Sequence, residues 1–124
     1  MTRRALLALA ICALLPACAT RPIPYNWNQY SSSLYSLRKD PTDQKLEAHK
    51  QVLIQIIQGS SDKSLRVPPG ICAEYGYILV KEGKVAEGVK YLDLEAQLFP
   101  ESKILIDRIK TQALRPASDT EKKP

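Results

Sequence analysis

Histidine and cysteine, the side chains behind most metal and nucleophilic sites, are scarce in this sequence. The chain has 124 residues, with one histidine (His49) and three cysteines. A metal site built from several histidines is excluded, and neither a Gly-x-Ser-x-Gly elbow nor paired cysteines at metal-ligand spacing occur. We therefore expect no catalytic residue, no metal site and no cofactor. His49 is predicted to be packed or half-exposed, and Glu87, Asp93 and Glu95 to lie on a helix surface.

The sequence also lacks a dense basic block and a long apolar run. Its formal net charge of +5 comes from 18 basic and 13 acidic side chains spread along the chain, so we expect no nucleic-acid partner. The apolar run at residues 5–15 contains eleven residues, whereas a membrane-spanning helix needs about 20. Preceded by Arg3 and Arg4, this run has the length and charge of a signal-peptide core.

The apolar run ends in Leu15-Pro16-Ala17-Cys18, which resembles the lipobox of bacterial lipoproteins. The resemblance implies removal of residues 1–17 and lipidation of Cys18; Pro16 departs from the pattern, which favours small or aliphatic residues there. Two or three acyl chains anchor a protein stably in a membrane. Ala19 in place of aspartate implies the outer membrane, facing the periplasm. The alternative is an ordinary secretory signal cut near Ala17 or Ala19, with Cys18 an unmodified thiol.

One cysteine then remains for the folded part. Cys12 lies in the predicted signal peptide and Cys18 carries the predicted lipid, so Cys72 has no partner within the mature chain. We expect Cys72 to be a small buried hydrophobic residue. The alternative is an intermolecular disulfide in an oxidising periplasm.

The rest of the chain has helical patterns and no sustained strand pattern. In the first of them, Trp27, Tyr30, Leu34 and Leu37 recur on one helical face. A longer helix is predicted to follow and to end at Gly59, and three more at residues 70–82, 85–99 and 102–114. We predict an all-α fold: a small bundle of about four helices at residues 30–114, after an extended tether at residues 18–29 and before a disordered tail at residues 115–124.

Residues 69–102 resemble a tetratricopeptide repeat, a helix-turn-helix unit of 34 residues. Aligning Pro100 with the proline of the repeat places Gly76 and Gly88 where the two helices cross closely. Cys72 and Glu95 depart from the pattern, which has tryptophan and alanine there. A generic antiparallel helical hairpin is the alternative.

Large apolar side chains are expected to fill the space between these two helices: Tyr75, Leu79, Leu92 and Phe99. A single repeat cannot bury its apolar faces alone. We therefore expect neighbouring helices to cover it, the last of them with a stripe formed by Ile104, Leu105 and Ile109.

The layout of the chain also resembles a family of small proteobacterial lipoproteins of unknown function. The resemblance rests on Cys18 and on the order of five short motifs: YNWNQY at 25–30, SLY at 33–35, VPPG at 67–70, YGY at 75–77 and LFPES at 98–102. Members of that family often accompany lipoproteins similar to the curli secretion channel. The resemblance implies a role in the cell envelope or in assembly, and no catalytic residue.

These patterns favour a non-enzymatic, lipid-anchored adaptor whose partners are the membrane and other envelope or secretion proteins. The tetratricopeptide resemblance implies that Tyr77 and Lys81, one turn apart, face a partner. Trp27 and Tyr30 are further candidates, for a partner or for the membrane interface. One alternative is a structural lipoprotein that contacts peptidoglycan or the membrane surface. Another is an enzyme acting on cell wall or lipid, for which we see no small-molecule site.

Overall fold

The computed structural model describes residues 25–62 and 65–115, and within these ranges the chain is all-helical, as predicted. The helices are α1 (Tyr30–Lys39), α2 (Asp43–Asp62), α3 (Ile71–Lys81), α4 (Val85–Leu98) and α5 (Lys103–Ala113), with a short 3-10 helix at Pro100–Ser102 before α5. The predictions for the signal peptide, for Cys18, for residues 18–24 of the tether and for residues 116–124 of the tail lie outside the described residues.

The second helix extends further than predicted. Gly59 was expected to end it, but α2 continues to Asp62. The amide of Asn26 donates a hydrogen bond to the carbonyl of Ile56 (3.3 Å), and a Cβ on Gly59 would lie 3.3 Å from the same amide nitrogen. Gly59 therefore makes room for the segment that precedes α1. Ser60, within the added turn, also donates to the carbonyl of Ile56 (2.6 Å).

Helices α3 and α4 form a hairpin that crosses at two glycines, as the repeat pattern predicted. A Cβ on Gly76 would lie 2.7 Å from the carbonyl oxygen of Gly88, and a Cβ on Gly88 would lie 2.6 Å from that of Gly76. The backbones of the two helices are thus in direct contact. Gly83, with φ +83°, makes the left-handed turn between them.

The apolar core lies between the helices and uses most of the predicted side chains. Leu79, Leu92 and Phe99 are buried around the hairpin, and the half-buried Tyr75 packs edge-to-face against Tyr91 (ring centroids 4.7 Å apart). A second group joins α2 to the start of α3 and comprises Leu53, Ile56 and Ile71. The hairpin is therefore covered on one side by α2.

The predicted apolar stripe on the last helix is wrong at two of its three positions. Ile104 is 71% exposed and Leu105 58% exposed, whereas Ile106 is fully buried and Ile109 half-buried. Ile106, Ile109 and Ala113 follow one another at steps of three and four, and form the face that packs on the bundle. Residues 104, 105 and 106 are consecutive and apolar, so spacing alone does not say which of them faces the bundle.

Candidate functional site

The predicted partner-binding pair on α3 is exposed and its two side chains contact each other. Tyr77 is 44% exposed, and the ammonium of Lys81 lies 5.6 Å from the centroid of its ring. This distance is within the range of a cation–π interaction. The pair therefore presents one composite surface, with the flat face of an aromatic ring and a positive charge one helical turn away.

The second predicted pair has one exposed and one half-buried member. The rings of Trp27 and Tyr30 lie 5.6 Å apart. Trp27 is 45% exposed, whereas the hydroxyl of Tyr30 points inward and donates a hydrogen bond to Glu74 (2.8 Å). Burial, and next the hydrogen bond to Glu74, raise the pKa of Tyr30 to about 12. Tyr30 thus remains a protonated donor at neutral pH, and its ring supports that of Trp27.

A polar cluster that the sequence analysis missed lies beneath Tyr30. His49 is fully buried, with Nδ1 2.8 Å from the hydroxyl of Ser33 and Nε2 3.1 Å from the carboxylate of Glu74. The other oxygen of Glu74 accepts the bond from Tyr30. These side chains come from α1, α2 and α3, so the cluster fixes α1 onto the two helices behind it. We call this group of Tyr30, Ser33, His49 and Glu74 the histidine cluster.

The histidine cluster has the order of groups found in serine hydrolases: hydroxyl, imidazole, carboxylate. Its surroundings differ from those of a hydrolase, because the Ser33 hydroxyl also lies 2.9 Å from the carbonyl of Tyr30 and the Ser33 N–H is bonded to the carbonyl of Gln29. Acyl transfer needs N–H donors aimed at the developing oxyanion. The geometry here is that of a polar clamp between helices.

A sequence signal for the histidine cluster did exist. His49 lies beside the apolar stripe of α2, and a buried imidazole needs hydrogen-bond partners for both ring nitrogens. The sequence does not say which residues provide them, since Ser33 and Glu74 are 16 and 25 residues away.

Glu95 is buried, and its predicted place on a helix surface is wrong. Its carboxylate accepts hydrogen bonds from the backbone N–H groups of Gly70 (2.7 Å) and Ala73 (3.3 Å). Gly70 precedes α3 and has no side chain with which to cap it. The carboxylate from α4 therefore satisfies free N–H groups of α3 and lies at the positive end of its dipole. The repeat has alanine where this chain has Glu95, and this departure was the sequence signal that the carboxylate caps α3.

Glu87 and Asp93 complete the set of carboxylates considered from the sequence. Glu87 is exposed, and Asp93 is half-buried and accepts a hydrogen bond from Lys110 of α5 (2.6 Å). These side chains and Glu95 make different contacts, so the structure does not bring them together as an acid/base pair.

Lys50 makes a further contact between helices, near the end of α3. Its side chain is largely buried, and its ammonium lies 2.8 Å from Glu47 and 2.7 Å from Glu82. Hydrogen bonds to Glu47 and Glu82 raise the pKa of Lys50, and the bond from Lys50 lowers the pKa of Glu82. The charged forms of these residues are thus favoured, and they join α2 to the end of α3.

Neither a metal centre nor a membrane span is found in the described residues. Across residues 25–62 and 65–115, histidine, cysteine and carboxylate side chains do not gather in groups of three that could hold a metal ion. None of the helices in this part of the chain combines the length and the apolar content that crossing a bilayer requires.

Comparison with known proteins gives one family. Its sequence model, described as a domain of unknown function (DUF4810), matches residues 24–109, which is more than half of the chain. No curated protein matches the sequence, and no solved structure matches it. The expectation of an uncharacterised family is thereby confirmed.

Proposed function

We propose that this chain, which belongs to the DUF4810 family of unknown function, is a non-enzymatic adaptor of the bacterial cell envelope. In this proposal a lipid on Cys18 anchors it in the outer membrane, and the helical domain binds another envelope protein in the periplasm. The observation that carries the proposal is the contrast between an exposed aromatic and basic pair on α3 and an interior whose polar side chains are occupied by contacts between helices.

The interior contacts support a role without chemistry. His49, Glu74, Glu95 and Lys50 are the side chains from which a buried acid/base site would be built, and each is bonded to a neighbouring helix. Among the described residues, every buried side-chain nitrogen or oxygen has a hydrogen-bond partner. Groups committed in this way stabilise one arrangement of the helices.

The pair Tyr77 and Lys81 supports binding of a protein segment. A tyrosine ring provides contact area at a low cost in side-chain entropy, and aromatic residues are enriched at interaction hot spots. The ammonium of Lys81 adds an attraction for a carboxylate. The partner we propose is another envelope lipoprotein or a secretion protein, such as one similar to the curli secretion channel. Residues 69–102 would then act as a tetratricopeptide-like hairpin.

Crosslinking in whole cells tests the proposal. Partners crosslinked to the wild-type chain would be identified by mass spectrometry and compared with those of Tyr77→Ala, Lys81→Ala and the double variant. We expect each single variant to lose a large part of the crosslinked partner, and the double variant to lose most of it. Tyr35→Ala is the matched control, because Tyr35 is also an exposed tyrosine in the middle of a helix. Unchanged partners in the double variant would overturn the assignment of this site.

A further inference from the structure

One end of the helical bundle carries a concentration of exposed apolar side chains. Contacts of Asn26 with Ile56 and of Lys50 with Glu82 show that successive helices run antiparallel, so α1, α3 and α5 begin at this end, and α2 and α4 finish there. Of the seven large apolar residues exposed in the described part of the chain, four lie here: Trp27, Leu98, Ile104 and Leu105. We call this surface, together with Tyr25 and Arg66, the tether end.

Contacts between its residues make the tether end continuous. The N–H of Asn26 donates to the carbonyl of Arg66 (3.1 Å), and the guanidinium of Arg66 lies 5.3 Å from the ring centroid of Tyr25. On the other side of Arg66 a pocket of about 260 Å³ reaches Leu98 and is lined also by Leu65, Val67 and Phe99. The surface thus runs from the segment before α1 past Arg66 to the end of α4, after which α5 begins.

The described residues at the tether end carry charges of both signs. Arg66 is exposed, Glu101 is exposed in the 3-10 helix, and Lys103 is bridged to Asp107 (2.9 Å). A surface with charges of both signs has little attraction for a strongly charged partner. Its binding energy must come chiefly from apolar and aromatic contact.

The length of the chain before this surface indicates what covers it. Tyr25 follows Cys18 by seven residues, and a chain spans at most ~3.6 Å per residue, which gives a reach of about 25 Å. A lipid on Cys18 would therefore hold the tether end close to the bilayer. Tryptophan and tyrosine favour the interfacial region of a bilayer, and long basic side chains extend from it to water.

We infer that the tether end is a membrane-contact surface on which the domain rests against the phospholipid bilayer, with Trp27 inserted at the level of the headgroups. This inference rests on the proposed lipidation of Cys18. It fixes the orientation of the domain, because Tyr77 and Lys81 lie about two turns along α3, away from this end. The proposed partner site then faces sideways, at a set height above the membrane.

The single tryptophan of the chain gives a direct test. The lipidated protein is reconstituted into phosphatidylcholine vesicles with and without lipids brominated on their acyl chains, which quench nearby tryptophans. We expect the emission of Trp27 to be shifted to the blue, and brominated lipid to reduce it by about half, as for an interfacial side chain. Because apolar contact dominates, adding anionic lipid is expected to change this quenching little.

A matched variant provides the control. In Trp27→Phe/Tyr77→Trp the reporter moves to α3, at a position of almost the same exposure (44% against 45%). It is expected to show little quenching in the same vesicles. A second variant, Ile104→Ser/Leu105→Ser, keeps Trp27 and is expected to reduce its quenching, because it removes two apolar contacts with lipid.

Three results would overturn the inference: no quenching of Trp27, equal quenching of the two reporters, or crosslinking between copies through Ile104 and Leu105 in place of lipid contact. Mass spectrometry of the reconstituted protein shows whether Cys18 carries a lipid. It therefore distinguishes failure of the membrane-contact inference from failure of the proposed lipidation. If Cys18 carries a lipid and Trp27 is not quenched, the membrane-contact inference is wrong and the adaptor proposal is unaffected.

Discussion

His49 shows how one buried polar side chain can organise three helices. It bonds Ser33 of α1 on one ring nitrogen and Glu74 of α3 on the other. Removing it takes one hydrogen-bond partner from each of these groups, and each then keeps only its bond to Tyr30. The cluster thus contributes to stability chiefly because every member is satisfied.

We predict that His49→Phe lowers the free energy of unfolding by about 2–3 kcal/mol, since it removes the bond to Ser33 and the bond to the carboxylate of Glu74. Urea titration followed by circular dichroism measures this change. Gln55→Ala, on the exposed side of the same helix, is the control and is expected to change stability by at most about 0.5 kcal/mol.

The variant Ser33→Ala distinguishes a structural role of the histidine cluster from a catalytic role in hydrolysis. As a member of the clamp, Ser33 is expected to contribute about 1 kcal/mol through its bond to His49. A nucleophile would instead be dispensable for stability, and its loss would abolish hydrolysis of esters or amides. Hydrolysis by the wild-type protein that disappears in Ser33→Ala, with stability unchanged, would contradict our interpretation.

Cys72 illustrates a residue whose environment was predicted from the sequence. It is fully buried, as expected for a small hydrophobic side chain, and burial followed by the nearby charge of Glu95 raises the pKa of its thiol to about 12. The alternative, a disulfide between copies, would require the sulfur to leave the core.

We predict that the thiol of Cys72 is inert in the folded protein. Its modification by a disulfide reagent at pH 7.5 is expected to be at least about 100-fold slower than in urea, because both access and the thiolate fraction are low. Colorimetric titration of the mature protein measures both rates. A fast reaction without urea would show that the side chain is accessible.

At the scale of elements, the contact between α3 and α4 depends on the absence of two side chains. The carbonyl oxygens of Gly76 and Gly88 each lie where a Cβ on the other glycine would be. Both atoms that would be displaced belong to backbone, which cannot rotate away as a flexible side chain can.

We therefore predict that Gly88→Ala lowers the free energy of unfolding by about 3 kcal/mol, at the upper end of the range for overpacking. Thermal unfolding followed by circular dichroism gives the change. Gly59→Ala is the matched control in α2, because its added Cβ would meet only the terminal amide of Asn26, at 3.3 Å. Similar stability of Gly88→Ala and wild type would mean that the helices do not cross here.

The elements also show what the sequence can and cannot predict. Helical spacing correctly predicted an all-helical domain, which has five helices where about four were expected, and glycine placement predicted the crossing at Gly76 and Gly88. The predicted end of α2 was wrong because Gly59 does not end the helix but makes room for Asn26, which is 33 residues away in the sequence. The predicted buried face of α5 was wrong because Ile104, Leu105 and Ile106 are consecutive, and spacing does not decide which of them is buried. The predicted exposure of Glu95 was wrong because its partners, Gly70 and Ala73, lie at the start of another helix.

At the scale of the whole molecule, Lys50 couples α2 to the hairpin. Its bond to Glu82 lowers the pKa of that carboxyl below the ordinary value of 4.5. A carboxyl with a lowered pKa in the folded state stabilises the fold above its unfolded pKa, and this contribution is lost as the pH falls through the folded pKa.

We predict that Lys50→Met makes the loss of stability below about pH 4.5 less steep, because the largest cause of the lowered pKa of Glu82 is removed and the bond from Lys84 remains. Urea unfolding at a series of pH values measures the slope. Lys103→Met, which removes the exposed bridge to Asp107, is the control and is expected to have little effect. If the free energy of unfolding of Lys50→Met depended on pH as that of the wild type does, the contact with Glu82 would not be formed in solution.

The proposed lipid at Cys18 would confine the domain to two dimensions beside its proposed partners. Growth with labelled palmitate, followed by separation of the cell membranes, tests this most directly. We expect label in the wild-type protein, found in the outer-membrane fraction, and neither label nor membrane association in Cys18→Ala. Label that persists unchanged in Cys18→Ala, or an unlabelled wild-type protein released in soluble form, would contradict the account.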